Sequence, residues 1–150
     1  MNGRTLVIGF GNPLRGDDRL GWEVADRLSA AMTDGAIEVL TVQQLVPEIA
    51  EIISQFDQVI FVDATCEGVP GEWRCDPVSA DEVSANALGH RFGIPELLGH
   101  ARKLYGSAPG ARVISIAGES FACSEHLSPR IEAVVPEVVD YIRNHVGVAA

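Results

Sequence analysis

"LVIGFGNPLRGDD", residues 6 to 18, runs an apolar strand into a glycine-rich loop and closes that loop with two acids. A strand that turns through glycines into a helix is the opening move of many α/β folds. The dinucleotide-binding version needs glycines at 9, 11 and 14. Position 14 is Leu14, whose side chain would hold helix and strand apart. The phosphate-loop version matches only through Gly11 and Gly16. Beyond them Asp17 and Asp18 stand where a lysine and a hydroxyl would meet phosphate and magnesium. Carboxylates there repel a nucleotide. The stretch therefore predicts a strand–loop–helix unit whose ligand, at the carboxyl edge of the sheet, is a cation. A plainer role for Asp17 and Asp18 is to cap the following helix by accepting from its free N–H groups.

Outward from this unit, strand-like runs recur at Thr5 to Gly9, Ile37 to Thr41, Gln58 to Val62 and Arg112 to Ala117. Helical patterns alternate with them. Leu20, Val24 and Leu28 mark the first helix. "VPEIAEII" places Pro47 and Glu48 at the start of a second. "IPELLGHARKLYG" opens with Pro95 and Glu96 and stops at Gly106. In the last pattern Ser128 and Pro129 open the helix and Pro136 divides or kinks it. Between Cys66 and His90 the alternation breaks into a Pro-Gly turn, a short strand at Glu72 to Cys75 and a polar loop, read as an edge hairpin. The expected fold is an α/β three-layer sandwich, a mostly parallel twisted sheet with helices on both faces and an edge hairpin, in one domain over residues 1–150.

Twenty-one acids against eleven bases give a net charge of −10, which argues against nucleic acid and anionic membrane surfaces as partners. No apolar run reaches the length of a membrane span, and "LVIGF" is short for a signal-peptide core, so a cytoplasmic location is expected. The composition is compatible with a monomer. Cys66, Cys75 and Cys123 form no C-x-x-C pair and leave an odd count, which suits reduced structural thiols. A nucleophilic Cys66 is the sharper alternative.

"VIFVDAT" puts Asp63 at the end of a strand backed by Val59, Ile60, Phe61 and Val62, a run that implies burial on both faces. A charge at the lip of such a strand needs a partner, a metal or loop amides, since an isolated buried ion costs several kcal/mol. Of four histidines, His100 and His145 fall in helical patterns and His126 near a helix start. His90 stands in an irregular loop before the Pro95 helix. Two carboxylates and one imidazole suit a borderline divalent ion such as nickel or zinc, with open positions for substrate or water.

With "GFGNPLRGDDRLG", "QQLVPEIAEIISQFDQVIFVDAT", "GHRFGIPELL" and "GESFACSEHLSP" in that order, the chain resembles the hydrogenase maturation endopeptidases over roughly residues 5 to 142. The resemblance implies an α/β sandwich that removes a C-terminal extension from the large-subunit precursor of a nickel–iron hydrogenase once its metal is loaded. By motif position Asp18, Asp63 and His90 match the residues thought to contact nickel, and they are the candidate catalytic and metal-contacting set. The nickel would be supplied by the precursor, with zinc or another divalent ion as a surrogate.

This sequence departs from the family pattern at several points. Asp18 stands where some members carry Glu. Arg19 replaces a small residue and adds a positive charge. Gly89 precedes His90 where a hydroxyl residue is frequent. Glu119 sits in "AGES" where the family has a "GIEP"-like segment. Nickel could act as Lewis acid or lower the pKa of a bound water, with Asp63 as general base. An aspartic dyad ranks below this, because its carboxyls must touch. No G-x-S-x-G elbow, H-E-x-x-H helix or Cys–His pair supports a conventional protease. The competing reading is a non-catalytic metal chaperone or precursor-docking module that uses the same three residues.

Overall fold

The computed structural model describes residues 3–32, 35–81 and 93–146. Strands β1 (Thr5–Phe10), β2 (Ile37–Val42), β3 (Gln58–Thr65), β4 (Trp73–Val78) and β5 (Gly110–Ala117) form one sheet in the order β2-β1-β3-β5-β4. β1 pairs in parallel with β2 and β3, and β3 in parallel with β5. The α/β architecture, mostly parallel with helices on both faces, is the expected one.

The edge hairpin takes the form of an edge strand. β4 runs antiparallel, as a hairpin arm would, but its ladder partner is β5 rather than the preceding β3. The reason is topological: β1 and β5 occupy both edges of β3, so the next free edge is that of β5.

Helices α1 (Leu20–Ala31), α2 (Ile49–Ile53), α3 (Ile94–Tyr105), α4 (Pro129–Glu132) and α5 (Val135–Val146) complete the fold. One face of the sheet, with Val7, Ile60, Val62 and Ile114, packs under Leu20, Val24 and Leu28 of α1 and Val138 and Ile142 of α5. The opposite face, with Leu6, Ile8 and Phe61, packs under Ile49 and Ile53 of α2 and Leu97 and Leu98 of α3. The central strands are thus covered on both sides, which is why β1 and β3 read as continuous apolar runs. Phe61, fully buried and edge-on to Phe10 at 6.4 Å between ring centroids, is the largest of these side chains. Truncating it to alanine costs about 3–5 kcal/mol.

The helix boundaries follow local chemistry. Glu96 accepts from the Gly93 N–H at 2.9 Å to open α3, and Gly106, at φ 77°, closes it in the left-handed region. Pro136 lies in the first turn of α5, and the expected division falls just before it, between α4 and α5. Among the described residues no helix is long and apolar enough to cross a membrane.

Candidate functional site

The approach of α1 to the sheet is set by two glycines. A Cβ on Gly9 of β1 would collide with the Gly21 carbonyl, and one on Gly21 would press on the Val62 carbonyl and the Phe10 amide. With neither Cβ present, the start of α1 lies directly over the ends of β1 and β3. This is the close approach that Leu14 seemed to forbid, achieved by glycines at other positions.

The loop between Phe10 and Leu20 turns over this edge. Gly11, at φ 144°, has its Cα against the Asp18 backbone carbonyl, where a side chain would collide. The Trp22 indole N–H donates to the carbonyls of Gly11 (3.0 Å) and Val42 (3.1 Å), pinning the ends of β1 and β2 together. Residues Gly16–Arg19 form a short 3-10 turn ahead of α1.

Neither acid of that turn caps α1. The half-buried Asp18 turns back over the loop, where its Oδ2 accepts from the Asn12 N–H at 2.7 Å. Asp17 points the other way and is fully buried. Its Oδ2 accepts from the N–H groups of Glu119 (2.7 Å) and Ser120 (2.9 Å) and from the Ser128 hydroxyl (2.8 Å), and its Oδ1 from the Ser128 N–H (2.7 Å). Burial pushes the Asp17 pKa up, but the donors from Ser128, Ser120 and Glu119 together outweigh it and hold the carboxyl below its ordinary 3.8.

Asp17 is thus a structural centre tying loop amides together, rather than the helix cap that was the plainer reading of the acidic pair. A signal for it was present: the inward stripe Leu20, Val24, Leu28, continued one turn back, lands on position 17 and misses 18.

Arg19 also serves the scaffold. Its guanidinium donates to the carbonyls of Pro13 (3.0 Å) and Glu125 (2.6 Å) and pairs with Glu23 at 3.2 Å. Its charge is committed to tying two loops together. Those loops also share backbone bonds: Gly16 N–H to the Ser124 carbonyl, Ser124 N–H to that of Leu14, and Asp17 N–H to that of Ser120. The Glu119 backbone belongs to this seam, whereas its side chain is exposed.

Asp63 is half-buried and lies within β3 rather than at its end, because β3 continues to Thr65 alongside β5. It is the first residue beyond the β1 ladder, which stops at Val62, and it sits opposite Ser115 of β5. Strand alternation puts it on the face of Phe61, the side covered by α2 and α3. Since the Val62 carbonyl lies beneath Gly21, Asp63 and the turn carrying Asp18 share one edge of the sheet.

α3 starts at this edge, because it leads down to Gly110, whose N–H bonds the Asp57 carbonyl at the opposite end of the sheet. His90 lies outside the described residues. Among those described, no three His, Cys, Asp or Glu side chains could together hold a metal ion. Cys66, Cys75 and Cys123 are all free thiols.

No protein-family model and no curated protein matches the chain. Solved structures do. The hydrogenase 2 maturation peptidase of a Thaumarchaeota archaeon is 28% identical, with 96% of this chain and 98% of that one covered and a TM-score of 0.72. The chain is similar in fold and sequence to this hydrogenase maturation peptidase. The resemblance carried by the motifs is borne out. Two further proteins of this kind share the fold. The NiFe hydrogenase maturation protease HycI of Thermococcus kodakarensis is 24% identical, covering 94% of this chain and 90% of that one, at a TM-score of 0.78. The hydrogenase maturating endopeptidase HybD of Escherichia coli is 22% identical over the same shares, at 0.71.

Proposed function

We propose that the chain is an endopeptidase that removes the C-terminal extension of a hydrogenase large-subunit precursor already loaded with nickel, and that Asp18, Asp63 and His90 contact that nickel. The observation that carries the reading is the shared sheet edge. The turn bearing Asp18 and the first residue of β3 past the β1 ladder, Asp63, both lie at the edge where the start of α1 crosses Val62, which supports this reading. The helix that follows His90 in sequence begins at the same edge.

Two carboxylates and one imidazole would leave positions open for the ligands that a nickel ion brings with it. Nickel brought by the precursor would supply Lewis acidity next to the scissile carbonyl. Asp63 would take the proton from the attacking water, and Asp18, oriented by the Asn12 N–H, would hold its free oxygen toward the ion. The location expected for this chemistry is the cytoplasm.

The test is incubation of the purified chain with nickel-loaded and nickel-free precursor, followed by mass measurement of the large subunit. Shortening of the loaded form alone is the expected result. Equal cleavage of both forms rejects recognition through nickel. Stoichiometric binding with no shortened product assigns the chain to metal escort or precursor docking.

A further inference from the structure

A cleft of about 980 Å³ opens at the carboxyl ends of β3 and β5 and along β4. It is continuous with the candidate site, since Ser115, the ladder partner of Asp63, and Thr65, two residues beyond Asp63 on the same face, both line it. Its charge is one-sided. Glu67, Glu72, Asp76 and Glu137 face Arg74 as the one cationic lining residue, and Arg74 is neutralised by Asp76 at 2.6 Å. Glu137 accepts from the Trp73 indole N–H at 2.9 Å. Glu67 and Glu72 are exposed and have no ion-pair partner among the described residues. β4 is also the sheet edge, paired on one side only among these residues.

We propose that this cleft binds a lysine- or arginine-bearing segment of the precursor polypeptide, running along β4 toward Asp63. The inference rests on the peptidase reading above and adds the chemistry by which the substrate is held. The parts suit a long cationic side chain. Glu67 and Glu72, exposed at the mouth of the cleft, accept its charged head, while Trp73 and Glu137, joined by the indole N–H, form the wall on the α5 side. An edge strand supplies backbone groups to an extended chain, and a cleft of one sign steers the oppositely charged segment into place. A net charge of −10 on the whole chain acts in the same direction.

The test compares the wild-type chain with the E67Q/E72Q double variant in binding and processing the hydrogenase large-subunit precursor at low and raised salt. Both substitutions are at exposed positions, and unchanged thermal melting verifies the fold. The expected result is about a tenfold rise in KM with kcat retained, together with a weaker salt dependence. Replacing the Lys and Arg residues of the precursor's C-terminal segment by Glu should impair the wild type, and E67K/E72K should restore processing of that altered precursor.

Unchanged KM and salt response in E67Q/E72Q, with cleavage intact, overturns the cleft and leaves the peptidase reading standing. Wild-type binding that weakens in the double variant, with no cleavage by either, keeps the cleft and overturns the peptidase reading. Absence of precursor binding by the wild type overturns the cleft.

Discussion

Ser128 donates twice to Asp17 across 111 residues of chain, through its N–H to Oδ1 at 2.7 Å and its hydroxyl to Oδ2 at 2.8 Å. With Glu119 and Ser120 on the same carboxylate, this clasp joins the loop ahead of α1 to the loop after β5. Replacing Asp17 by alanine leaves four donors without an acceptor in a buried place. The expected loss is at least about 3 kcal/mol in urea unfolding. Ser128→Ala removes one of the four bonds and keeps the Ser128 N–H, so its loss should be near 1 kcal/mol. Equal losses in the two variants would show that Asp17 is not the common acceptor.

The clasp has a pH signature. The Asp17 pKa is lowered by folding, so the unfolded chain binds the proton more readily, and stability rises with pH through the window between the folded value and 3.8. The contribution is complete above the unfolded value and fades as the pH falls through the folded one. In unfolding measured against pH, Asp17→Asn should flatten the slope below about pH 4 relative to wild type. An unaltered slope would place the acid sensitivity elsewhere.

Gly9→Ala and Gly21→Ala each force a methyl into backbone of the facing element. Each should lower stability by about 2–3 kcal/mol, because a carbonyl cannot swing aside as a side chain can. Melting curves check this. A neutral Gly9→Ala would mean that α1 has room to slide.

Arg19→Lys keeps the charge but loses the fork that spans the Pro13 and Glu125 carbonyls. A loss of about 1 kcal/mol is expected, together with slower precursor processing. Should Lys support wild-type stability and rate, the fork is dispensable and charge alone suffices.

For the site itself, Asp63→Asn and His90→Ala should each abolish precursor shortening while the melting temperature stays within a few degrees of wild type. Mass measurement of the large subunit reads the first and circular dichroism the second. A fully active variant removes its residue from the site.

The legible part of this fold was the part governed by burial. β1 and the first half of β3 announce themselves because both faces are covered, and Leu20, Val24 and Leu28 mark α1 by spacing. The apolar run of β3 stops at Val62, where the β1 ladder also stops. The strand itself continues to Thr65 because β5 still pairs with it, and cross-strand bonds leave no mark on composition. The partner of β4 was hidden for the same reason.

At the site, the acidic pair was visible but its division of labour was not. Adjacent residues on a 3-10 turn point to opposite sides, and the partners of Asp17 lie more than a hundred positions downstream. Asp63 was legible as a charge on a buried strand, but it lies within β3 rather than at the strand end the pattern implied.

The clasp between the two loops also orders events during synthesis. Residues 119 to 128 emerge from the ribosome last among those that fix the turn, so a nascent or truncated chain lacking them has no donors to hold Asp17 and the turn around it. Synthesis of that segment is then what readies this edge of the molecule, and a fragment ending before β5 should stay inert toward any precursor it meets.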